Sequence, residues 1–276
     1  MANDKSPVID NPWQALRRFT AARIALGRAG VSLPTSPQLA FQLAHAQARD
    51  AVHLALDAEQ LRRQLTDAGI AGAAACRILD SAAGDRLTYL QRPDLGRRLS
   101  AASCRELASA VQAQGGDRLH DLAIVIADGL SSLAIARNTV PFLVALQRRI
   151  AGREWKQAPL TIVRQGRVAI GDEVGSLLGA KLVAVLIGER PGLSSPDSMG
   201  LYLSWMPRVG MADAERNCIS NIRPEGMGYE EAALKLDYLM SEASRRQLTG
   251  VALKDESVAV AEAGSAPTGN FLLGER

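Results

Sequence analysis

The sequence has little cysteine and no long hydrophobic run, and each scarcity argues against a class of protein. Its three cysteines, Cys76, Cys104 and Cys218, are far apart and form no C-x-x-C pair. A disulfide framework and a structural zinc site are therefore not expected, and the thiols should be reduced. No apolar run approaches the roughly 18 to 20 residues of a membrane helix, and the N-terminus has no signal-peptide core. These features predict a cytoplasmic protein.

Histidine and excess charge are also scarce. The 276 residues include three histidines, and 32 basic against 29 acidic side chains give a net charge of +3. No basic stripe stands out, so neither nucleic acid nor a membrane is expected as a partner. His45 and His53 lie eight residues apart in a helical stretch, about 80° out of register. Without a H-E-x-x-H pattern, we expect packed or surface histidines and no metal site.

The clearest positive signal is the continuous apolar run LVAVLI at 182–187, which ends in the charged turn GERPG. A run without alternation predicts a strand with both faces covered, as in the centre of a parallel sheet. Pro191 ends the strand because it has no N–H for a ladder bond. Ligands bind beyond the carboxyl ends of such strands. We therefore expect Glu189 and Arg190 either to face a ligand crevice or to pair with each other in a structural turn.

Strands and helices alternate in the second half of the chain, which indicates a parallel α/β layer structure. LAIVIA at 122–127 is a buried strand that ends in Asp128-Gly129, the same relative place as Gly188-Glu189. The remaining predicted strands are 160–164, a returning hairpin arm at 167–170 after a turn at 165–166, 201–205 and 216–222, and the predicted helices are 133–150, 171–178 and 229–248.

The first half is predicted to be helical, with helices at 13–26, 35–68 and 103–114. The fold class is therefore α/β, a Rossmann-like, mostly parallel sheet preceded by a helical N-terminal region. We divide the chain into a disordered leader (1–12), the helical region (13–116), the α/β domain (117–254) and a flexible tail (255–276). The GRAG stretch at 27–30 is interpreted as a helix cap or, alternatively, as an anion cradle.

Four arginines lie within the segment 84–99, which a proline and two glycines interrupt. They are Arg86, Arg92, Arg97 and Arg98. Because arginine keeps its charge and presents a planar fork, the segment could bind an anionic partner or a second subunit. The alternative is a solvated face with local partners in Asp85 and Asp94.

Motifs for a chemical reaction are absent from the sequence. It has no G-x-S-x-G elbow, no S-x-x-K and no G-x-G-x-x-G after a strand. The residues alone therefore predict a ligand-binding α/β domain. One function in that class is a stand-alone nucleotide-binding regulator, in which GERPG or ADGLSS would hold a phosphate at a helix N-terminus.

Six stretches taken together resemble the small (light) subunit of ethanolamine ammonia-lyase, and they span nearly the whole chain. They are ARIALGRAG (22–30), LTYLQRPDLGRRL (87–99), ADGLSS (127–132), VRQGRVAIGDEVGSLLGAK (163–181), LIGERPGL (186–193) and AERNCISNI (214–222). No single motif is decisive, but their joint occurrence in this order is specific.

The resemblance implies a carbon–nitrogen lyase that converts ethanolamine to acetaldehyde and ammonia with adenosylcobalamin. It implies a hetero-oligomer in which a large (β/α)₈ subunit carries the catalytic side chains and the small subunit holds the cobalamin. A D-x-H-x-x-G motif is absent, so the cofactor's dimethylbenzimidazole is expected to stay on cobalt. Some members carry a longer leader for a bacterial microcompartment, and the short stretch before Trp13 argues against such residence here.

Three positions match the cobalamin contacts of that family: the backbone amide of Val168, the carboxylate of Glu189, and Cys218. An amide N–H and a carboxylate suit the amide-rimmed corrin, and Cys218 is expected as a small contact residue and not as a nucleophile. The alternatives are a ladder hydrogen bond for Val168, an ion pair with Arg190 for Glu189, and core packing for Cys218.

Overall fold

A six-stranded sheet forms the centre of the computed structural model, which describes residues 7–113 and 120–257. The strands are β1 (Val8–Ile9), β2 (Arg28–Ala29), β3 (Arg77–Asp80), β4 (His120–Ala127), β5 (Thr161–Arg164), β6 (Ala180–Gly188), β7 (Met199–Trp205) and β8 (Asn217–Ile222). The sheet has the order β3-β5-β4-β6-β7-β8. Its first four strands are parallel, and β7 and β8 are antiparallel. The predicted α/β fold with a mostly parallel sheet is confirmed.

Helices cover both faces of this sheet. They are α1 (Thr35–His53), α2 (Ala58–Asp67), α3 (Arg86–Gln91), α4 (Ala101–Ala113), α5 (Ser132–Ile150), α6 (Ile170–Leu177) and α7 (Tyr229–Arg246). α5 and α7 belong to one core cluster, and α4 and α6 belong to the other. The helical character of the region before β4 fits the prediction. None of the helices in the described ranges is long and apolar enough to cross a bilayer.

The apolar run in β6 is buried on both faces, as predicted. Leu182, Ala184 and Leu186 pack in the cluster of α5 and α7. Val183 and Val185 point the other way, into the cluster of α4 and α6. β6 is parallel to β4 on one side and antiparallel to β7 on the other, so it is the boundary between the two parts of the sheet.

The predicted hairpin at 160–170 is wrong. β5 lies between β3 and β4 and is parallel to both, so no place remains beside it for a returning arm. The chain turns at Gln165, which has a left-handed φ of 56°, and enters α6 instead. A short apolar run followed by Gln-Gly reads equally well as a hairpin or as a strand before a crossover helix, because the pattern contains no information about strand neighbours.

The predicted helix at 35–68 is two helices. Leu54 is extended, and the Asp57 side chain accepts the Gln60 N–H at 2.8 Å and begins α2. The predicted helix at 13–26 is shorter, a 3₁₀ helix at Pro12–Phe19. Val8 and Ile9, in the predicted leader, pair with β2. The predicted domain boundary at 116/117 and most of the predicted tail lie outside the described residues.

Arg216 joins the segment before β8 to α6. Its guanidinium, 2% exposed, forms an ion pair with Asp172 of α6, which is equally buried. It also donates to the Asp213 carboxylate at 2.8 Å and to the Met211 carbonyl at 3.0 Å. Each buried charge therefore depends on the other, because removing one partner would leave an uncompensated charge away from water. This network holds residues 211–213 near the start of α6.

We predict that Arg216→Ala lowers the free energy of unfolding by roughly 3–5 kcal/mol, because Asp172 is then left buried and unpaired. Urea denaturation of the full chain measures the loss. Arg208→Ala is the matched control, since Arg208 and Glu215 form an ion pair at 2.6 Å on the surface. The control should change stability far less, and equal losses in the two variants would contradict the assigned role of Arg216.

Candidate functional site

An open cleft of about 650 Å³ lies at the carboxyl end of β6. Its walls are the end of β6 and the turn after it (187–190), the turn before α6 (167–169), Tyr202 of β7, the segment 211–213, Leu130, and Tyr89 with Arg97 from the N-terminal region. The cleft therefore occupies the place where open α/β sheets bind ligands. It brings Val168 and Glu189 to the same cleft.

Two glycines allow the ends of β4 and β6 to meet behind this cleft. Leu130 donates its N–H to the Gly188 carbonyl at 2.9 Å. Gly129 has a φ of +59°, and a Cβ there would collide with the Gly188 backbone. A Cβ on Gly188 would collide with the backbone of Asp128 and Ser131. Larger residues at either position would separate the strand ends and displace Glu189, which follows directly.

The carboxylate of Asp128 ties the end of β4 to the turn after β5. It accepts the N–H groups of Gln165 at 2.9 Å and Gly166 at 3.0 Å, and Arg86 Nη1 lies 3.8 Å away. Burial raises the pKa of Asp128 to about 6, against the effect of the two amides and Arg86. Through its two amide contacts, the carboxylate fixes the backbone that leads into Arg167 and Val168.

Val168 lies in the turn just before α6, outside any strand. Its carbonyl accepts the Gly171 N–H at 3.1 Å, but its own N–H has no acceptor among the described residues. The N–H of the neighbouring Ala169 is also free within this part of the chain, and no side chain caps α6. The alternative of a ladder bond does not apply to Val168, and both Val168 and Ala169 are among the residues that line the cleft.

Glu189 turns away from Arg190 and reaches across β7. Its carboxylate accepts the Ser198 hydroxyl and lies 3.3 Å from the Asn221 N–H. Gly200 makes room for it, since Glu189 Oε1 stands 2.9 Å from where a Cβ of Gly200 would be. No Glu189–Arg190 ion pair forms, so that alternative is wrong for the described chain. Glu189 is half-buried and also lines the cleft.

Cys218 lies beside the cleft and does not line it. It is an exposed residue of the edge strand β8, directly opposite Tyr202, which is in the cleft wall. Core packing is therefore not its role. Partial burial of the sulfur raises the pKa of Cys218, and the charge of Glu189 adds to the rise. A raised pKa fits a contact residue and not a nucleophile.

The four arginines of the segment 84–99 have different environments. Arg86 is half-buried beside Asp128 and stacks on Tyr89, with 4.7 Å from the guanidinium carbon to the ring centre. Arg92 pairs with Asp94 at 2.7 Å, as the local alternative predicted, and Arg98 pairs with Glu173 at 3.4 Å. The guanidinium of Arg97 has no partner among the described residues, and Arg97 is one of the residues that line the cleft.

Sequence reasoning missed Ala169 and Tyr202 as cleft residues. In LYLSW at 201–205 the leucines are buried and Tyr202 is on the other face, so alternation was a usable signal for Tyr202. No signal existed for Ala169, because its contribution is a backbone N–H. Titratable side chains in the cleft are limited to tyrosines, arginines and the carboxylates of Glu189 and Asp213 within the described chain.

Comparison with known proteins gives a consistent family. The family model for the ethanolamine ammonia-lyase light chain (EutC) matches residues 10–254. The ethanolamine ammonia-lyase small subunit of Azotobacter vinelandii is 58% identical over 275 residues, 99% of each chain. The small subunit of Pseudomonas putida GB-1 is 57% identical over 274 residues, 98% of each chain. That of Pseudomonas aeruginosa UCBPP-PA14 is 58% identical over 265 residues, which are 96% of this chain and 95% of that one. The chain therefore belongs to the ethanolamine ammonia-lyase light chain family.

Proposed function

We propose that this lyase subunit holds adenosylcobalamin against a large catalytic subunit that converts ethanolamine to acetaldehyde and ammonia. The observation that carries the proposal is one cleft with free amide donors at Val168 and Ala169 and a carboxylate acceptor at Glu189. The reaction is inferred from family membership, and the cofactor-holding role is inferred from the polar groups of the cleft. The cytoplasm is the proposed location.

The chemistry of the cleft suits a corrinoid. A corrin is a broad, largely apolar plate whose rim carries carboxamides, each with N–H donors and a carbonyl acceptor. The free amides at 168 and 169 are suited to rim carbonyls, and Glu189 to rim N–H groups. Leu130, Ile187 and Met211 give the same cleft an apolar part. Cys218, beside Tyr202, is proposed as a further contact at the periphery.

The size of the cleft supports a shared site. About 650 Å³ is within the range that encloses a drug-sized ligand, and a corrinoid is larger than that. This chain would therefore cover one part of the cofactor and leave the rest to a second protein surface. A stand-alone nucleotide-binding regulator would not need that second surface.

The role proposed for this chain is to bind, orient and exclude water. When bound, adenosylcobalamin supplies radical chemistry, which has to be protected from water and oxygen. The described residues of the cleft include no histidine, cysteine or serine side chain. We therefore assign the groups that handle the substrate and its protons to the large subunit, and regard this chain as non-catalytic.

An exposed apolar surface supports a large partner. Among residues 7–113 and 120–257, fifteen large apolar side chains are exposed, and eleven of them lie between Ile9 and Leu54, including Trp13 at 65% and Phe19 at 70% exposure. α1 itself buries only alanines, Ala44, Ala48 and Ala51. Concentrated apolar exposure of this kind marks protein interfaces. We propose that the large subunit covers this surface.

The double substitution Trp13→Ser and Phe19→Ser should reduce co-purification with the large subunit, because aromatic side chains dominate interface energies. Val251→Ser is the matched control, since Val251 is 80% exposed and distant in sequence from this surface. Circular dichroism should show both variants folded. Unimpaired assembly of the aromatic variant would exclude these residues from the interface.

Glu189→Ala should weaken adenosylcobalamin binding by the assembled complex about 10- to 100-fold, the value of one charge-assisted hydrogen bond. Titration followed by visible absorbance gives the dissociation constant. Ser198→Ala is the control, because it removes the internal partner of Glu189 and keeps the carboxylate in the cleft. An equal loss in both variants would mean that Glu189 only anchors its loop, and no loss in Glu189→Ala would remove it from the site.

A further inference from the structure

Arg86 does not line the cleft, but it contacts three side chains at the turn before α6 (165–168). Its side chain is 13% exposed, and Nη1 lies 3.8 Å from the Asp128 carboxylate. The same nitrogen donates to Gln165 Oε1 at 3.3 Å. The guanidinium also stacks on the ring of Tyr89, 4.7 Å from its centre. Asp128, Gln165 and Tyr89 therefore share one cation.

Two of these side chains hold the backbone of the turn. The Asp128 carboxylate accepts the N–H groups of Gln165 at 2.9 Å and Gly166 at 3.0 Å. The Tyr89 hydroxyl donates to the Gly166 carbonyl at 3.4 Å. Val168, with its free N–H, is two residues further along the chain. A displacement of Asp128 or Tyr89 would therefore change the position of this N–H in the cleft.

Arg86 is itself fixed by two backbone carbonyls. Its Nε donates to the Val52 carbonyl in the last turn of α1 at 2.6 Å, and its Nη1 donates to the Gly129 carbonyl at 2.8 Å. Gly129 is packed against the Gly188 backbone, where β4 and β6 end. The sheet and α1 thus set the position of the cation, which can serve as a fixed point for the turn.

The charge of Arg86 also affects how Asp128 binds the turn. A carboxylate accepts both N–H groups, whereas protonation converts one of its oxygens into a donor. Burial raises the pKa of Asp128 to about 6, and the charge of Arg86 and the backbone amides limit this rise. Tyr89 of α3 and Arg164 of β5 also interact electrostatically with this carboxylate. Without Arg86, Asp128 would become protonated at a higher pH, and the turn would lose an acceptor there.

We propose that Arg86 is a positioning residue for the cofactor, because it holds the turn that carries Val168 through Asp128, Gln165 and Tyr89. The inference rests on the proposed function, which assigns the Val168 amide to the corrin rim. Arg86 itself touches no ligand. Its hydrogen bonds fix the place of the turn, and its charge extends to lower pH the range in which Asp128 accepts both amides.

The first test is the pH dependence of adenosylcobalamin affinity in the complex of this chain with its large subunit. Arg86→Met keeps the length of the side chain and removes its charge and donors. Its affinity should fall as the pH is lowered, with a midpoint about one pH unit above that of the wild type. The loss relative to wild type should approach about 10-fold at low pH and be small at high pH. Arg86→Lys keeps a charge and should shift the midpoint less.

Asp128→Asn isolates the contribution of Asp128, since asparagine does not titrate. In this background Arg86→Met should no longer shift the midpoint, even where other groups of the complex titrate. Arg92→Ala is the matched control, because Arg92 belongs to the same segment and pairs with Asp94 on the surface. It should keep the wild-type profile. A loss in Arg86→Met that is equal at every pH would overturn the inference, because lost packing alone would then explain it.

The second test is hydrogen exchange at the amides of Gln165 and Gly166 in the full chain without cofactor. At the same pH, Arg86→Met should exchange these amides about 10-fold faster than the wild type, and Arg92→Ala should not. Unchanged exchange would overturn the inference. Absence of cofactor binding by the assembled wild-type complex at every pH would overturn the proposed function and the role of Arg86 toward the cofactor. Faster exchange in Arg86→Met would still assign Arg86 to the turn.

Discussion

The backbone contact between the ends of β4 and β6 is the constraint on which the cleft depends. Gly129 and Gly188 pack so closely that neither position has room for a side chain. Asp128, next to this contact, binds the backbone amides of the turn after β5. Three parallel strands are thus joined at their carboxyl ends by backbone atoms and one buried carboxylate. The cleft walls at Val168 and Glu189 begin directly from this junction, so their separation is set by the sheet and not by loop flexibility.

The same arrangement explains which polar groups are left for a ligand. The carboxylates near the cleft take part in internal contacts, Glu189 with Ser198 and Asp172 with Arg216. The amide of Val168 and the guanidinium of Arg97 have no such contacts within the described chain. A site that offers mainly donors on a rigid wall suits a ligand rich in carbonyl oxygens. It is less suited to chemistry on a small substrate.

The sequence predicted the centre of the fold better than its connections. The uninterrupted run in β6 and the glycines at the ends of β4 and β6 predicted a crevice at this edge of the sheet, but they left open whether Glu189 faces it or pairs with Arg190. The turn before α6 was mistaken for a hairpin, because strand order depends on contacts far apart in sequence. The free N–H of Val168 follows from that turn, so residue patterns alone could not predict it. Likewise, the sequence does not distinguish the four arginines of the segment 84–99. They differ in their acidic neighbours, Asp128, Asp94 and Glu173, and these neighbours are known only from the structure.

The most direct test of the account is ethanolamine turnover with adenosylcobalamin, measured on this chain alone, on the large subunit alone and on the co-expressed pair. A cofactor-holding subunit predicts activity only in the pair, because the cofactor needs both protein surfaces to be held and protected. Turnover by the large subunit alone at the rate of the pair would contradict the account, and so would an assembled pair that is inactive.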